Sequence, residues 1–247
     1  MTDEIKDHYR RLDEICPGGG SQFDVAGLLR HRVFRNWLQR RRRDKVRILD
    51  IGCGTGVFLR DLARGLRDNH GLETECKGID LVQPSQNQFG SIPQPFAFQA
   101  CDVDGKKLPF ESGGFDFVSC NHVIEHVFHT QVLVSEIRRV VASDGLAEIS
   151  TPNLSCWVNR LLLLAGIQPL STEVATDSME YGWPIFQKLM TTWTPPGHIR
   201  CFTASALADL CRKYALQVAG RWRQESRLIY RNIAFLLIPR PLPNSRN

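Results

Sequence analysis

The sequence predicts one α/β domain built on a mainly parallel sheet, preceded by a short helical extension over residues 1–45. Three observations carry this. The hydrophobic pattern switches repeatedly between strand-like runs and helix-like stripes. A buried strand runs directly into a glycine-rich turn and an amphipathic helix at ILDIGCGTGVFLRDLA. The chain then closes on two consecutive β-rich runs, the pattern of an antiparallel hairpin added to a parallel sheet. A chain of 247 residues is long enough for one such core over 46–247, with an insertion at about 153–197.

In order, Leu29, Val33 and Trp37 recur at helical spacing on an N-terminal helix ending in Arg40 to Arg43, read as a solvated, dipole-favoured terminus. A strand follows at Val46 to Ile51, a helix from about Val57 to Arg67, and a strand at about Glu75 to Leu81. Pro84 to Pro95 is too rich in proline for more than a short or irregular helix. Strands are expected at Phe96 to Cys101 and Phe115 to Cys120, then a helix from about Thr130 to Val141. The next strand, Leu146 to Ser150, is entered through a Ser-Asp-Gly turn. Thr203 reads as the N-cap of a helix through Tyr214, with Leu207, Leu210 and Cys211 inward. Leu216 to Trp222 and Ile229 to Ile238 are the two closing strands.

Composition excludes several classes. Apolar residues are 43% and charged residues 23%, as in ordinary globular proteins, and the formal charge is +5. Much of that charge is the single arginine run, which is not a nucleic-acid signature. The eight cysteines stand singly, with no C-x-x-C pair, so no zinc ribbon or dithiol redox centre is written. Cys53, Cys101 and Cys120 fall in or beside core strands, as small hydrophobes do. The charged start, MTDEIKDHYRRLDE, lacks the apolar region of a signal peptide, and no apolar run approaches the ~20 residues of a membrane span. A reducing, cytoplasmic setting is expected.

The chemistry begins at the glycine turn. Gly52, Gly54 and Gly56 sit between a strand and a helix, where positive φ is needed and a side chain would block a ligand lying against the backbone. The spacing G-x-G-x-G differs from the G-x-G-x-x-G of dinucleotide sites. Asp80, in GID, is placed at the carboxyl end of the second strand, where a carboxylate can accept both hydroxyls of a ribose. In CDVDGKKLPF, Asp102 is placed to accept from an adenine amino group beside the backbone N–H of Val103.

In order and spacing, ILDIGCGTG, GID, the Asp102-to-LPF stretch and FDFVSCNHVIEHV resemble the successive motifs of class I S-adenosylmethionine-dependent methyltransferases. The resemblance runs from about Val46 to Pro152. Within the family it is most similar to the broad group that includes the ubiquinone-biosynthesis O-methyltransferases. It implies a Rossmann-like, seven-stranded sheet of order 3-2-1-4-5-7-6 with helices on both faces, and S-adenosylmethionine as cofactor. Asp50, Gly52, Gly54 and Gly56 would frame its methionine end, Asp80 its ribose and Asp102 its adenine. Asn121, within the fourth motif, joins the cofactor set.

NHVIEH stands where many relatives carry E-x-x-E-H, the motif that joins a distant histidine to bind a divalent metal in small-RNA 2′-O-methyltransferases. Here His122 replaces the first glutamate, while Glu125 and His126 match. His198 is a plausible distant partner. On a helix, His122, Glu125 and His126 would share one face. These four residues are the candidate ligands of a divalent transition metal, zinc or manganese. His122, His126 and His198 are the candidate catalytic bases. Against this, His126 packs equally well over the cofactor, and Glu125 equally well caps the next helix.

The insertion carries an apolar stretch, Trp157 to Gln168, then Trp183, Phe186 and Trp193. It is expected near the open end of the cleft, as a lid for a small-molecule acceptor with hydrophobic character, or as a packed or dimer-forming helix. The reading is O-methylation of such an acceptor. Two alternatives stay open: a metal-assisted RNA 2′-O-methyltransferase, with nucleic acid as partner, and a catalytically silent cofactor-binding protein.

Overall fold

The computed structural model describes residues 24–41, 44–82, 95–175, 177–183, 195, 197–222 and 232–241. Helices α1 (Val25–Arg30) and α2 (Arg32–Arg40) lead into β1 (Lys45–Ile51), α3 (Val57–His70), β2 (Glu73–Asp80), β3 (Phe96–Ala100) and β4 (Phe115–Asn121). A single 3-10 turn, Ile124–His126, precedes α4 (Thr130–Val140) and β5 (Val141–Pro152). Then come α5 (Trp157–Leu164), α6 (Ala204–Lys213), β6 (Leu216–Trp222) and β7 (Asn232–Pro239). The sheet has seven strands in the order β3-β2-β1-β4-β5-β7-β6. β1 to β5 pair in parallel and β7 runs antiparallel to both neighbours. This is the Rossmann-like order that the resemblance implies.

Both faces of the sheet are covered, which is why the parallel strands read as near-continuous apolar runs. Helices α1, α2 and α3 cover Ile48, Phe117, Leu146 and Leu236 on one face. Helices α4 and α6 cover Leu49, Val118, Ile149 and Phe235 on the other. The Thr203 cap forms as expected, its hydroxyl accepting from Ala206 N at 3.2 Å, an interaction worth ~1 kcal/mol. In register, Ile51 pairs with Ile79 and Cys120, and Asn121 with Ser150. The loops after β1, β2, β4 and β5 therefore open along one edge.

Four local expectations are corrected. The N-terminal helix is two helices, broken at His31. That residue turns extended (ψ 130°) and caps α2, its Nδ1 accepting from Val33 N at 3.2 Å. Arg41 is not solvated: its guanidinium, 5% exposed, pairs with Asp116 at 3.1 Å and lies over the Trp37 ring. Arg40 is exposed, and residues 42 and 43 lie outside the described residues. β5 starts five residues early, absorbing Ser143 to Gly145 as a bulge between the pairs Phe115–Val141 and Phe117–Leu146. A Cβ on Gly145 would meet the carbonyl oxygens of Ala142 and Asp116 at 2.9 Å, so the bulge needs glycine. Finally, NHVIEH is no α-helix, since only the 3-10 turn forms there. The stretch 84–94, Phe186, Trp193 and 229–231 lie outside the described residues.

The inserted segment carries its own small apolar cluster, with Leu170, Met179 and Trp183 buried against Val158, Leu162 and Ile167. The outer side of α5 is left to solvent: Trp157, Leu161, Leu163 and Leu164 are more than half exposed. Among the described residues no helix is long and apolar enough to cross a membrane.

Candidate cofactor cleft and histidine cluster

At the carboxyl end of β1 the chain turns through Gly52 (φ 71°), Gly54 (φ 48°) and Gly56 (φ 74°), all in the left-handed region. A Cβ on Gly52 would lie 2.1 Å from Val123 Cγ2, whereas one on Gly54 would meet nothing within 4 Å among the described residues. Gly52 thus lets the turn pack against the β4 loop, and Gly54 borders space that no described residue fills. The turn is tied to β2 by hydrogen bonds from Gly52 N and Cys53 N to the Ile79 carbonyl.

Asp80 lies at the carboxyl end of β2, as expected. Its Oδ2 accepts from Gly54 N at 2.8 Å and its Oδ1 from Leu81 N at 2.6 Å. Val82 N also bonds the Asp80 carboxylate. Burial pushes its carboxyl above the usual range, against the backbone N–H bonds that favour the ion. Asp102 follows β3 and accepts from Asp104 N and Lys106 Nζ at 3.1 and 3.0 Å. Partial burial raises its pKa, but the Lys106 bond and the Asp104 N–H outweigh that and lower it. Val103 beside it packs on the core. The neighbouring Asp104, not foreseen in the sequence, accepts from Phe128 N and His129 N and so joins this loop to the start of α4.

Beneath the turn, Asp50, Ser119 and Glu148 align across β1, β4 and β5 in one register row. Ser119 Oγ donates to Asp50 Oδ1 at 2.7 Å, and Trp222 Nε1 donates to Glu148 Oε1 at 3.0 Å. Complete burial raises Asp50 to about 7 and Glu148 to about 8, the Ser119 and Trp222 bonds notwithstanding. Two pairs further along, Ser150 Oγ donates to Asn121 Oδ1 at 2.6 Å.

Beyond Asn121 the chain turns sharply at His122, which takes a left-handed φ of 56°. Its Nδ1 lies 3.1 Å from Glu125 Oε1 and its Nε2 3.0 Å from Asn232 Nδ2 of β7. Both ring nitrogens therefore face the fold. The donor atoms of Glu125, His126 and His198 instead lie within 4.8 Å of one another. The His126 and His198 rings are 5.1 Å apart, centre to centre. His198 is delivered by a returning segment: Ile199 N and Arg200 N donate to the Glu125 carbonyl at 2.8 and 3.0 Å. His126 Nδ1 is 3.0 Å from the Gly197 carbonyl. The structure thus brings together three of the four expected residues, and His122 stands behind Glu125.

Glu125 is fully buried, yet its carboxyl is lowered to about 2, because the His122 bond and the nearby His126 and His198 rings outweigh desolvation. Its Oε2 is buried with no hydrogen-bond partner among the described residues. Burial and the neighbouring His126 lower His198 to about 4, so its imidazole is neutral at neutral pH. Glu173, in the inserted segment, was not foreseen. It accepts from Gly197 N and His198 N at 2.8 and 2.9 Å. No motif surrounds it, so the sequence carried no signal for it.

The sequence profile of a methyltransferase-domain family matches residues 23–219, and the chain belongs to that family. A biotin biosynthesis bifunctional protein, BioHC, of Cellvibrio japonicus is 34% identical over 109 residues, 44% of this chain and 20% of that protein. A ubiquinone biosynthesis O-methyltransferase of Glaesserella parasuis is 26% identical over 132 residues, 48% of this chain and 50% of that enzyme. The chain thus spans half or less of these curated relatives. The fold is shared with a Burkholderia thailandensis 1,6-didemethyltoxoflavin-N1-methyltransferase solved with its acceptor and S-adenosylhomocysteine. That match has a TM-score of 0.58 at 16% identity, over 96% of this chain and 86% of the other.

Proposed function

We propose that the protein transfers a methyl group from S-adenosylmethionine to an oxygen of a small acceptor with hydrophobic character. The observation that carries this reading is one cleft edge on which a left-handed glycine turn, with space at Gly54 that no described residue fills, adjoins a buried carboxylate–histidine cluster. Similarity to a ubiquinone biosynthesis O-methyltransferase supports an oxygen acceptor. The seven described cysteines are all free, which supports a reducing, cytoplasmic setting.

When bound, the cofactor supplies a methyl on a sulfonium, a good leaving group, so positioning supplies most of the acceleration. Asp50, Gly52, Gly54 and Gly56 frame its methionine end. Asp80 accepts from the ribose, and Asp102 with the Val103 N–H holds the adenine. Asn121 closes the floor between turn and cluster. Where no metal is held, His126 is the group that takes the acceptor proton. His198, with its low proton affinity, is better suited to donate a lone pair, and His122 serves by holding Glu125.

Glu125, His126 and His198 fit a divalent transition metal: one carboxylate and two imidazoles converge, and a carboxylate oxygen there has no partner among the described residues. Zinc or manganese held by them would act as a Lewis acid toward an acceptor hydroxyl. The described part of the inserted segment then forms one wall of the acceptor site, and the two N-terminal helices, α1 and α2, form the extension ahead of β1.

Calorimetry tests the cofactor reading: S-adenosylhomocysteine should bind and NAD should not. Affinity should rise with pH through about 7, where Asp50 ionises and can pair with the ligand ammonium, and Asp50→Asn should flatten that dependence. Chelation with EDTA should abolish methyl transfer to hydroxylated aromatic acceptors while sparing cofactor affinity. A protein that ignores S-adenosylhomocysteine would sink the proposal.

A further inference from the structure

Methyl transfer as read above gives no part to Glu148, yet this acid is 0% exposed and its neighbour Asn121 only 5%. In the β4–β5 ladder Ser119 pairs with Glu148 and Asn121 with Ser150. Side chains two residues apart share one face of a strand, so all four lie with Phe117 and Leu146 on the face that α1, α2 and α3 cover. Asn121 and Glu148 are therefore diagonal neighbours, with Cα atoms roughly 8 Å apart from strand spacing and rise.

One half of each side chain is held. Ser150 Oγ donates to Asn121 Oδ1 at 2.6 Å, and Trp222 Nε1 donates to Glu148 Oε1 at 3.0 Å. The other halves are Asn121 Nδ2 and Glu148 Oε2. Both atoms are buried, and neither has a direct hydrogen-bond partner among the described residues. Burial raises the Glu148 carboxyl, and the Asn121 amide is the largest of the effects that draw it back. The amide is thus near the carboxyl although no direct bond joins the two atoms. Leaving both unpaired would cost roughly 1–3 kcal/mol each, and buried polar atoms in folded proteins are seldom left so. A water molecule meets the need, since it accepts from the amide and donates to a carboxylate. It also serves where a direct bond would fail. Nδ2 can only donate, so a direct bond would require an ionised Glu148, whereas water also accepts from a neutral carboxyl.

We propose that one internal water bridges Asn121 Nδ2 and Glu148 Oε2, and that through it Glu148 is the positioning residue of Asn121. Ser150 fixes one end of the amide and the water the other, while Trp222 of the edge strand β6 fixes Glu148 in turn. This rests on the reading of Asn121 as part of the cofactor floor. It ties that floor, through two side chains and a water, to a strand at the far edge of the sheet.

A high-resolution crystal structure of the full-length protein should show a water roughly 2.7–3.2 Å from both atoms. Glu148→Gln should keep that water, and Glu148→Leu should lose it. In calorimetry with S-adenosylhomocysteine as probe, Glu148→Gln should stay within about twofold of the wild type, and Glu148→Leu should bind roughly 3–10-fold more weakly, the worth of one hydrogen bond. With Asn121→Ala already made, Glu148→Leu should cost no further affinity, because a positioning residue acts only through the group it positions. Equal losses in both backgrounds would overturn the proposal, since Glu148 would then act on the strand ends as a whole. So would wild-type density with no water at that place, or with Nδ2 bonded directly to Glu148, whatever the variants do. Failure of the wild type to bind S-adenosylhomocysteine would instead remove the methyl-transfer reading, and the crystal structure would still decide the water.

Discussion

Two groups of acids are buried at the same edge of the sheet, and they ionise in opposite senses. Asp50 and Glu148, beneath the glycine turn, are raised to about 7 and about 8 by burial. Glu125, a few residues beyond β4 and equally buried, is lowered to about 2. The difference lies in the neighbours. A hydroxyl and an indole N–H face Asp50 and Glu148, and these neutral donors do not offset desolvation. Three imidazoles surround Glu125, so an ion there is stabilised even out of water. Burial alone does not set the charge of a site. The sheet floor favours neutral acids, whereas the cluster is built around an anion.

The sharpest test of the cluster half is His198→Ala. Turnover should fall by roughly 10²–10⁴-fold, the usual loss for a group handling a proton or its equivalent, with S-adenosylhomocysteine affinity unchanged by calorimetry. Unaltered turnover would reduce the cluster to packing.

The floor half is tested by Glu148→Gln. Its folded pKa lies above the unfolded one, so the native state holds the extra proton between pH ~4.5 and ~8 and loses stability as pH rises through that window. The variant should be flat there and exceed the wild type most at pH 8 and above, by on the order of a few kcal/mol. Denaturant titrations at pH 5 and pH 8 read the difference, and parallel curves would break the comparison. Glu125 has the opposite sign: its contribution is present above pH ~4.5 and lost as pH falls toward about 2.

A third test asks whether the turn between the two halves is a ligand site. Asp80→Ala should cost roughly 1.5–3 kcal/mol in S-adenosylhomocysteine binding, the worth of charge-assisted hydrogen bonds. Equal affinity in variant and wild type would take Asp80 out of the site. The smallest effect on stability is expected outside both halves. Leu161 and Leu164 are 56% and 84% exposed, so replacing both by glutamine should shift unfolding by no more than about 0.5 kcal/mol each. Loss of methyl transfer without loss of cofactor binding would mark α5 as part of the acceptor site; a shift in mass by light scattering would mark it as an interface.

The glycine turn, the Thr203 cap and the closing antiparallel pair were legible in the chain, since each depends on residues within a turn or two of one another, or on a hydrophobic period that local geometry imposes. The sheet order was implied by the family resemblance that the motifs carry. That Asp80 and Asp102 follow β2 and β3 could be read because the strand pattern sets where those strands end, whereas Asp50 was singled out by the resemblance. Tertiary structure decided the rest. The break at His31 follows from a side-chain cap, and Arg41 turned inward because Asp116, seventy-five residues on, waits on β4. His122 left the donor group because the chain enters the 3-10 turn through a left-handed residue, sending that ring toward Asn232 of β7. His198 reached Glu125 through backbone hydrogen bonds across more than seventy residues, with Glu173 behind it. No local spacing encodes such contacts, since they exist only once the sheet has set the distance between its strand ends.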